Sequence, residues 1–373
     1  MIANSLWEKE TYYSNNDVLI VGAGLMGLWT ALELKKRAPK LNITIAEKSS
    51  TPLGASTRNA GFACFGSPTE LLSDASTMGE DEMWQIAEMR YKGIEKIKTH
   101  FRNSTIEYNP CGGFECLLQK DTAVLDELVW LNKGMQAITG TNECFSVQNY
   151  LLEKLGLVGF DYLVNNKLEG TLHSGKLVQA LTQKVQELGV QILYGATITK
   201  WHKLNHTIEV DINTTSIKTN QLLFCTNAFT HELLKDDSII PARGQIIVTS
   251  PIDNLLLNGS FHFDEGFYYW RNVGNRILLG GARNITIEEE TTTELATTHV
   301  IQNKLEQFLQ THIAQQYQYT VEHRWSGIMA FSSTKKPVFK QLDNLVYYAV
   351  ACNGMGVALT PMFAEKIAKE LIS

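Results

Sequence analysis

Charge is scarce in this chain, basic residues hold no majority, no cysteines are paired by spacing, and no apolar run is long enough to cross a bilayer. Charged residues make up 19% of the 373 positions, below the roughly 25% common in soluble domains. Lys plus Arg total 33 against 39 Asp plus Glu, a formal net charge of -6. No broad basic field is therefore offered to nucleic acid or anionic lipid. The charge-free stretch over residues 18–32 contains Gly22, Gly24 and Gly27, and it falls short of the roughly 18 to 20 apolar residues that a membrane span needs. Residues 1–15, with Glu8, Lys9 and Glu10, lack the basic-then-apolar order of a secretion signal. Cys64, Cys111, Cys116, Cys144, Cys225 and Cys352 are scattered with no CxxC spacing, which suggests neither a disulfide framework nor a zinc site. His202 and His206 have the spacing of two helical metal ligands, but their segment reads as extended, so no metal is expected. The expectation is a cytoplasmic protein without a nucleic-acid partner or a membrane span.

What the chain does have is apolar mass, 44% of its residues, enough for a large core in two to three domains or one two-part enzyme. Its opening is the most informative part. Residues 17–21 are a short run of Val, Leu and Ile that predicts a buried parallel strand. Gly22-Ala23-Gly24-Leu25-Met26-Gly27 follows directly, then helical periodicity to Arg37, with Pro39 as the stop. A second strand, residues 43–46, ends on Glu47 and Lys48.

Further along, the periodicity predicts a glycine- and serine-rich loop over 53–67 and a helix over about 80–101. A hairpin around Gly112-Gly113 is expected within 106–118, and helical pattern returns over 121–137. The α/β pattern resumes at Gly170 with a helix over 177–188 and strands over 190–194, 207–212 and 221–225. Short strands at 245–249, 267–270 and 276–279 precede a helix over about 292–310. The chain closes on a strand at 345–351, a glycine turn and a helix over about 360–371. No repeat or low-complexity linker separates these blocks, so the two units are expected to interleave.

The GxGxxG at Gly22, Gly24 and Gly27 carries weight because its surroundings are complete. The first glycine permits the tight turn and the second lets backbone approach a pyrophosphate. The third lets helix and strand pack closely, while the helix N-terminus offers free N–H groups to the anion. Glu47 stands where a carboxylate accepts hydrogen bonds from ribose hydroxyls. Dinucleotide binding follows. A nicotinamide enzyme usually continues with further βαβ units, whereas here Leu53-Gly54-Ala55-Ser56-Thr57-Arg58-Asn59-Ala60-Gly61 comes next. Its hydroxyls and amides suit a longer cofactor such as FAD, and a flexible surface loop is the plainer alternative. Three functions stay open on the residues alone: a flavin oxidoreductase, a nicotinamide-dependent dehydrogenase, and a flavin-binding protein without turnover.

Several motifs recur together: the three glycines, Glu47, the 54–61 block, Gly170-Thr171-Leu172-His173, Thr226-Asn227-Ala228, Arg243-Gly244-Gln245, Trp325-Ser326-Gly327 and Asn353-Gly354-Met355-Gly356. In order and spacing the chain resembles the D-amino acid oxidase / glycine oxidase / sarcosine oxidase family of FAD-dependent oxidoreductases, nearest its γ-glutamylputrescine oxidase-like branch. The resemblance runs from about Leu6 to the end. It implies a Rossmann-type FAD-binding domain (1–104, 169–240 and 322–373) and an interleaved substrate domain on a mostly antiparallel sheet (105–168 and 241–321). It implies non-covalent FAD held by Gly22, Gly24, Leu25, Met26, Gly27, Glu47, Lys48, Ala55, Ser56, Thr57, Arg58, Asn59, Ala60 and Gly61. Ile198, Thr226, Asn227, Ala228, Gly327, Gly354, Met355 and Gly356 complete the implied cofactor set. The implied reaction oxidises the C–N bond of a small amine or amino acid by hydride transfer to flavin N5, then hydrolyses the imine. Oxygen or another carrier is the implied electron acceptor.

No strong general base is required by that chemistry, and the sequence shows no obvious acid–base pair. Alternation along 267–270 puts Tyr268 and Trp270 on one face and Tyr269 and Arg271 on the other. Tyr268 and Trp270 are expected to form the pocket face, with core packing as the plainer alternative. Three departures from the family pattern bear on substrate and acceptor. Gly327-Ile328-Met329-Ala330 has no Arg where amino-acid-oxidising members clamp a carboxylate. No Cys lies between Cys225 and Cys352 for a covalent flavin link, and Leu278 or Leu279 stands where sarcosine oxidases carry a Lys for oxygen activation. Arg283 is the remaining candidate for a carboxylate clamp, against a plain surface role.

Overall fold

The computed structural model describes residues 4–372, built on two large mixed sheets. The first runs in the order Val338–Asp343, Val346–Val350, Thr215–Phe224, Asn16–Val21, Ile43–Glu47, Gln191–Tyr194. Pairing is parallel from Val346–Val350 to Gln191–Tyr194, and an antiparallel flap of Ile198–Lys203 and Ile208–Ile212 leaves from Thr215–Phe224. Parallel strands are covered on both faces, which is why Leu19, Ile20, Ile43, Ile45, Leu222 and Leu223 are all fully buried. The helices Leu25–Arg37, Glu80–His100, Ser174–Glu187 and Gly356–Ile372 contribute to the core over one face. The flap packs into the core on the other.

The second sheet runs Val321–Ser332, Ile239–Thr249, Arg276–Gly281, Tyr268–Val273, Ser260–Phe263, Gly113–Leu117, Tyr162–Asn166, Phe145–Val147. All its neighbours are antiparallel except Ser260–Phe263 beside Gly113–Leu117. Helix His299–Phe308 closes its back, where Phe261, Trp270, Ile277, Leu279, Leu305 and Phe308 form one apolar layer. Val321–Ser332 pairs with Ile239–Thr249 along its length. The last crossing between the two units therefore follows Ser332, later than the expected boundary at 322.

Other expectations also shift. No hairpin forms over 106–118, because Gly113–Leu117 pairs with distant strands. Gly113 serves close approach instead, since a Cβ there would stand 2.1 Å from Glu169 Oε2. The pattern over 121–137 is two helices, Ala123–Asp126 and Leu128–Thr139. The segment before His299 stays irregular, as β-branched Thr291, Thr292, Thr293, Thr297 and Thr298 disfavour helix. The final helix begins at Gly356 and holds Pro361 inside it.

Candidate active site

The first strand, Asn16–Val21, delivers the chain to Gly22, whose φ of 110° lies in the region that side chains rarely adopt. A Cβ on Gly22 would stand 2.7 Å from the Cys225 carbonyl oxygen, and one on Gly27 would stand 2.1 Å from the Gly22 carbonyl oxygen. These contacts fix strand, turn and helix against each other. Gly24 is the N-cap of Leu25–Arg37, so Leu25, Met26 and Gly27 open the helix where N–H groups lack helical partners. Leu25 N donates to Ser56 Oγ at 2.9 Å. Glu47 ends the second strand and accepts from Ala23 N at 2.9 Å and Ser49 N at 3.0 Å. Its carboxylate thus lies beside the glycine turn. Lys48, next to it, is exposed.

The 54–61 block is ordered rather than a loose loop. Ala55–Arg58 forms one helical turn after the N-cap Gly54, and Thr57 Oγ1 donates to Pro52 O at 2.7 Å. Asn59 Nδ2 donates to Ala55 O and Ser56 O, while its Oδ1 accepts from Gly61 N and Ser174 Oγ. The second sheet grips the block from the other side. Trp325 Nε1 donates to Arg58 O, Arg58 Nη1 donates to Ser326 O, and a Cβ on Gly327 would stand 3.0 Å from Arg58 Cβ. Arg271 Nη1 donates to the carbonyls of Ala60, Gly61 and Leu172. Burial lowers the Arg271 guanidinium to about 10.

A third strand end brings Thr226, Asn227 and Ala228 beside Gly22. Thr226 Oγ1 shares a hydrogen bond with Thr230 Oγ1, and Asn227 Nδ2 donates to Ile328 O at 3.0 Å. Ile198 begins the flap, whose lead-in Ala196 N donates to Glu47 O at 2.8 Å. The last turn is bent by left-handed Ala351, Asn353 and Gly354. Asn353 locks it to the second sheet: Oδ1 accepts from Ser332 N, Nδ2 donates to Lys335 O and Ala351 O, and its backbone N donates to Ala330 O. Met355 and Gly356 then enter the final helix at its positive end.

The residues fit an extended dinucleotide. Gly24, Glu47, Ala55, Ser56, Thr57, Arg58, Asn59, Ala60, Thr226, Asn227, Met355 and Gly356 are half-buried, in front of fully buried strands. A Cβ on Gly354 would meet only Met329 Sδ, at 3.9 Å, so that turn faces open space.

The front of the second sheet forms the opposite wall, and it corrects the expected pocket face. Trp270 is 0% exposed and stacks on Phe261 and Phe160. Tyr268 stacks on Phe308 with ring centroids 4.3 Å apart. Both belong to the apolar layer under helix His299–Phe308. Tyr269 occupies the front instead, standing over Gly280 and near Gly244. Burial raises its phenol to about 12, against the pull of Arg283. Met329 is on the same front, 3.1 Å from where Gly244 would carry a Cβ. Arg283 lies over Phe331 at 4.9 Å and Phe267 at 5.4 Å, and burial lowers its guanidinium. Cross-strand partners alone do not single it out, since Tyr269 faces Gly280, Tyr268 faces Gly281 and Trp270 faces Leu279. Gly244 and Gly280 on the front leave the Tyr269 ring its room. His202 lies in the flap with Nε2 2.9 Å from Glu209 Oε2, and among the described residues no His, Cys, Asp and Glu group is arranged to hold a metal.

Two interleaved units, one carrying a dinucleotide cradle and one an aromatic wall, define a redox enzyme with a bound nucleotide cofactor. Over residues 17–370 the chain matches the family described as FAD dependent oxidoreductase, and it belongs to that family. Its cofactor is FAD, which removes the nicotinamide alternative. The chain is 24% identical to the probable oxidoreductase OrdL of Haemophilus influenzae, covering 97% of this chain and 84% of that protein. It is 23% identical to the gamma-glutamylputrescine oxidoreductase of Escherichia coli, covering 95% and 83%. Its fold superposes on the crystal structure of glycine oxidase from Geobacillus kaustophilus with a TM-score of 0.77 at 17% identity, covering 96% and 95%. The chain is thus an FAD-dependent oxidoreductase from a family of amine- and amino-acid-oxidising enzymes. No helix among the described residues is long and apolar enough to cross a membrane.

Proposed function

We propose that this enzyme oxidises the C–N bond of a small amine bearing a remote carboxylate, rather than a simple α-amino acid. The observation that carries the reading is the wall facing Gly354, where Met329 Sδ is the nearest side-chain atom. A thioether accepts weakly and donates nothing, so an α-carboxylate buried there would lose its hydrogen bonds. Arg283, further along the same wall beside Tyr269, supplies a carboxylate clamp at a distance from the reacting carbon.

Bound FAD supplies a hydride acceptor at its N5, and water hydrolyses the resulting imine. The chain's part is positioning. Glu47 would hold the ribose, Leu25, Met26 and Ser56 would meet the pyrophosphate, and the 59–61 and 354–356 turns would border the flavin. N–H groups at the start of the final helix favour the negative charge gathered on reduction. Tyr269 takes the pocket role first expected of Tyr268 and Trp270. Leu278 packs with Ile246 and Val248, an apolar cluster where sarcosine oxidases carry an oxygen-activating Lys, which favours a carrier other than oxygen as the electron acceptor.

Anaerobic bleaching of the flavin by a panel of amines tests the reading. γ-Glutamylputrescine should bleach it faster than glycine, sarcosine or D-alanine. Arg283→Ala should slow only reductants that bear a remote carboxylate, by about tenfold or more for one lost charged hydrogen bond. Fastest reduction by glycine or D-alanine, with Arg283→Ala silent, would overturn it.

A further inference from the structure

Folding assembles an acid–base pair that sequence spacing hides. His262, in strand Ser260–Phe263, is 5% exposed, and neither Nδ1 nor Nε2 has a hydrogen-bond partner. Buried polar groups of this kind are rare because each forfeits its bonds to water. Its alternating neighbour Phe261 points into the back core, so His262 takes the front. There it pairs in register with Tyr269 and packs edge-on against Phe62 at 5.1 Å. Phe62 follows directly on Gly61 and also meets Tyr269. An imidazole without partners therefore stands on the face that carries the proposed pocket.

One acid is aimed at this ring. Glu70 Oε2 lies 3.5 Å from His262 Nδ1. Glu70 is held in place as the third residue of helix Pro68–Met78, where it accepts from Ser67 N at 2.9 Å. Burial opposes its ionisation, but His262, the Ser67 bonds and Arg90 outweigh that and keep the carboxyl below its ordinary value. The other acids nearby behave differently. Glu115, opposite His262 on the adjoining strand, is pushed up to about 7 by burial. Glu169, bound to Phe65 N and Gly66 N, is pushed up to about 8. Tyr269 stands on the other side, with Arg283 beyond it. Near neutral pH Glu70 is thus the dominant negative charge beside the ring.

We propose that His262, oriented by Glu70, is the base that takes the proton of an incoming ammonium substrate. The proposal rests on the amine reading above. An ammonium cannot pass to an imine, because its nitrogen has no lone pair to share with the carbon losing hydride. In the proposed step one N–H bond of the ammonium breaks and its electron pair stays on nitrogen. The proton bonds to His262 Nε2, and the Glu70 carboxylate, 3.5 Å from Nδ1, stabilises the imidazolium by its charge. No oxidant is consumed. Glu70 is a positioning residue, in the way a carboxylate fixes the tautomer of a catalytic histidine.

The test uses holoenzyme with flavin occupancy confirmed for His262→Asn and Glu70→Gln. Anaerobic stopped-flow reduction by γ-glutamylputrescine is followed from about pH 6 to about pH 10. An alkyl ammonium near pKa 10.4 is about one-thousandth deprotonated at pH 7.5. His262→Asn should therefore lose roughly a hundred- to a thousandfold near neutrality and keep gaining rate towards pH 10, where wild type has levelled off. Histidine-selective nitrogen NMR supplies a readout apart from turnover. A carboxylate beside Nδ1 favours the proton on that nitrogen, so Glu70→Gln should redistribute it between Nδ1 and Nε2 in the signal that His262→Asn deletes. A His262→Asn enzyme with the wild-type pH profile, or an unchanged tautomer distribution in Glu70→Gln, overturns the proposal while leaving the amine reading intact. If no amine bleaches wild type, the amine reading falls and the proposal falls with it.

Discussion

Adjacent aromatic residues on one strand, Tyr269 and Trp270, should give opposite phenotypes. Trp270 is fully buried, stacked between Phe261 and Phe160, with Phe308 at 5.6 Å. Truncating a buried aromatic to Ala costs about 3–5 kcal/mol through lost transfer and the cavity left behind. Each kcal/mol lowers the melting temperature by about 2–4 °C for 150–250 residues, and by less in a longer chain. Trp270→Ala should thus melt about 4–6 °C lower in this chain of 373 residues. Its flavin reduction below that temperature should be little changed, because nothing it touches faces the cradle. Tyr269→Phe removes only a hydroxyl on the front of the sheet, so its melting temperature should match wild type. It should instead weaken binding of the reducing amine by about two- to tenfold, the worth of one neutral hydrogen bond. Differential scanning fluorimetry and anaerobic stopped-flow reduction of the same preparations measure both quantities. A Trp270→Ala protein with unchanged melting and abolished reduction, beside a silent Tyr269→Phe, would refute the assignment of faces.

Further outcomes follow from the cradle and the buried acids. Glu47→Ala should weaken FAD binding by about ten- to a hundredfold, through lost charge-assisted hydrogen bonds; equilibrium dialysis of released flavin measures it, and an unchanged affinity would separate Glu47 from the cofactor. Acid denaturation should release all yellow colour to the supernatant if no covalent link exists, and colour in the pellet would contradict that. Glu169 has a folded value near 8, raised by burial from 4.5. The native state thus holds a proton that the unfolded chain releases, and stability from this group is full below about pH 4.5 and lost as pH rises through 8. Glu169→Gln should accordingly flatten the decline in melting temperature between about pH 4.5 and pH 8, and an equally steep decline in the variant would discount the group.

The first nucleotide-binding turn was legible because its requirements are local. Gly22 must bend, Gly24 must cap and Gly27 must let backbone pass, and all three lie within six positions between a strand and a helix. The second sheet was less legible because its pairings are not local. Gly113–Leu117 lies between Tyr162–Asn166 and Ser260–Phe263, so Gly112-Gly113 looked like a turn while the glycine at 113 makes room for Glu169. The strand Val321–Ser332 crosses the expected boundary at 322 for the same reason, since its partner Ile239–Thr249 begins more than seventy residues earlier.

The two faces of Tyr268–Val273 show where period alone runs out. Alternation separates Tyr268 and Trp270 from Tyr269 and Arg271, but it does not say which side meets a ligand. Large aromatics on both sides make the hydrophobic pattern symmetric, and cross-strand partners do not break it, since Tyr268 and Tyr269 both face glycines, Gly281 and Gly280. The faces differ in what covers them: helix His299–Phe308 packs on Tyr268 and Trp270, while Gly244 and Gly280 leave room for Tyr269. His262 was hidden more thoroughly. Its acid partner lies in another element, at the start of helix Pro68–Met78, and the two approach only once both units have folded. Residues that act on a substrate come from distant strands because a pocket needs walls on several sides. The chemistry of this site is therefore read from register across the sheet, where Glu115, His262, Tyr269 and Gly280 form a single row.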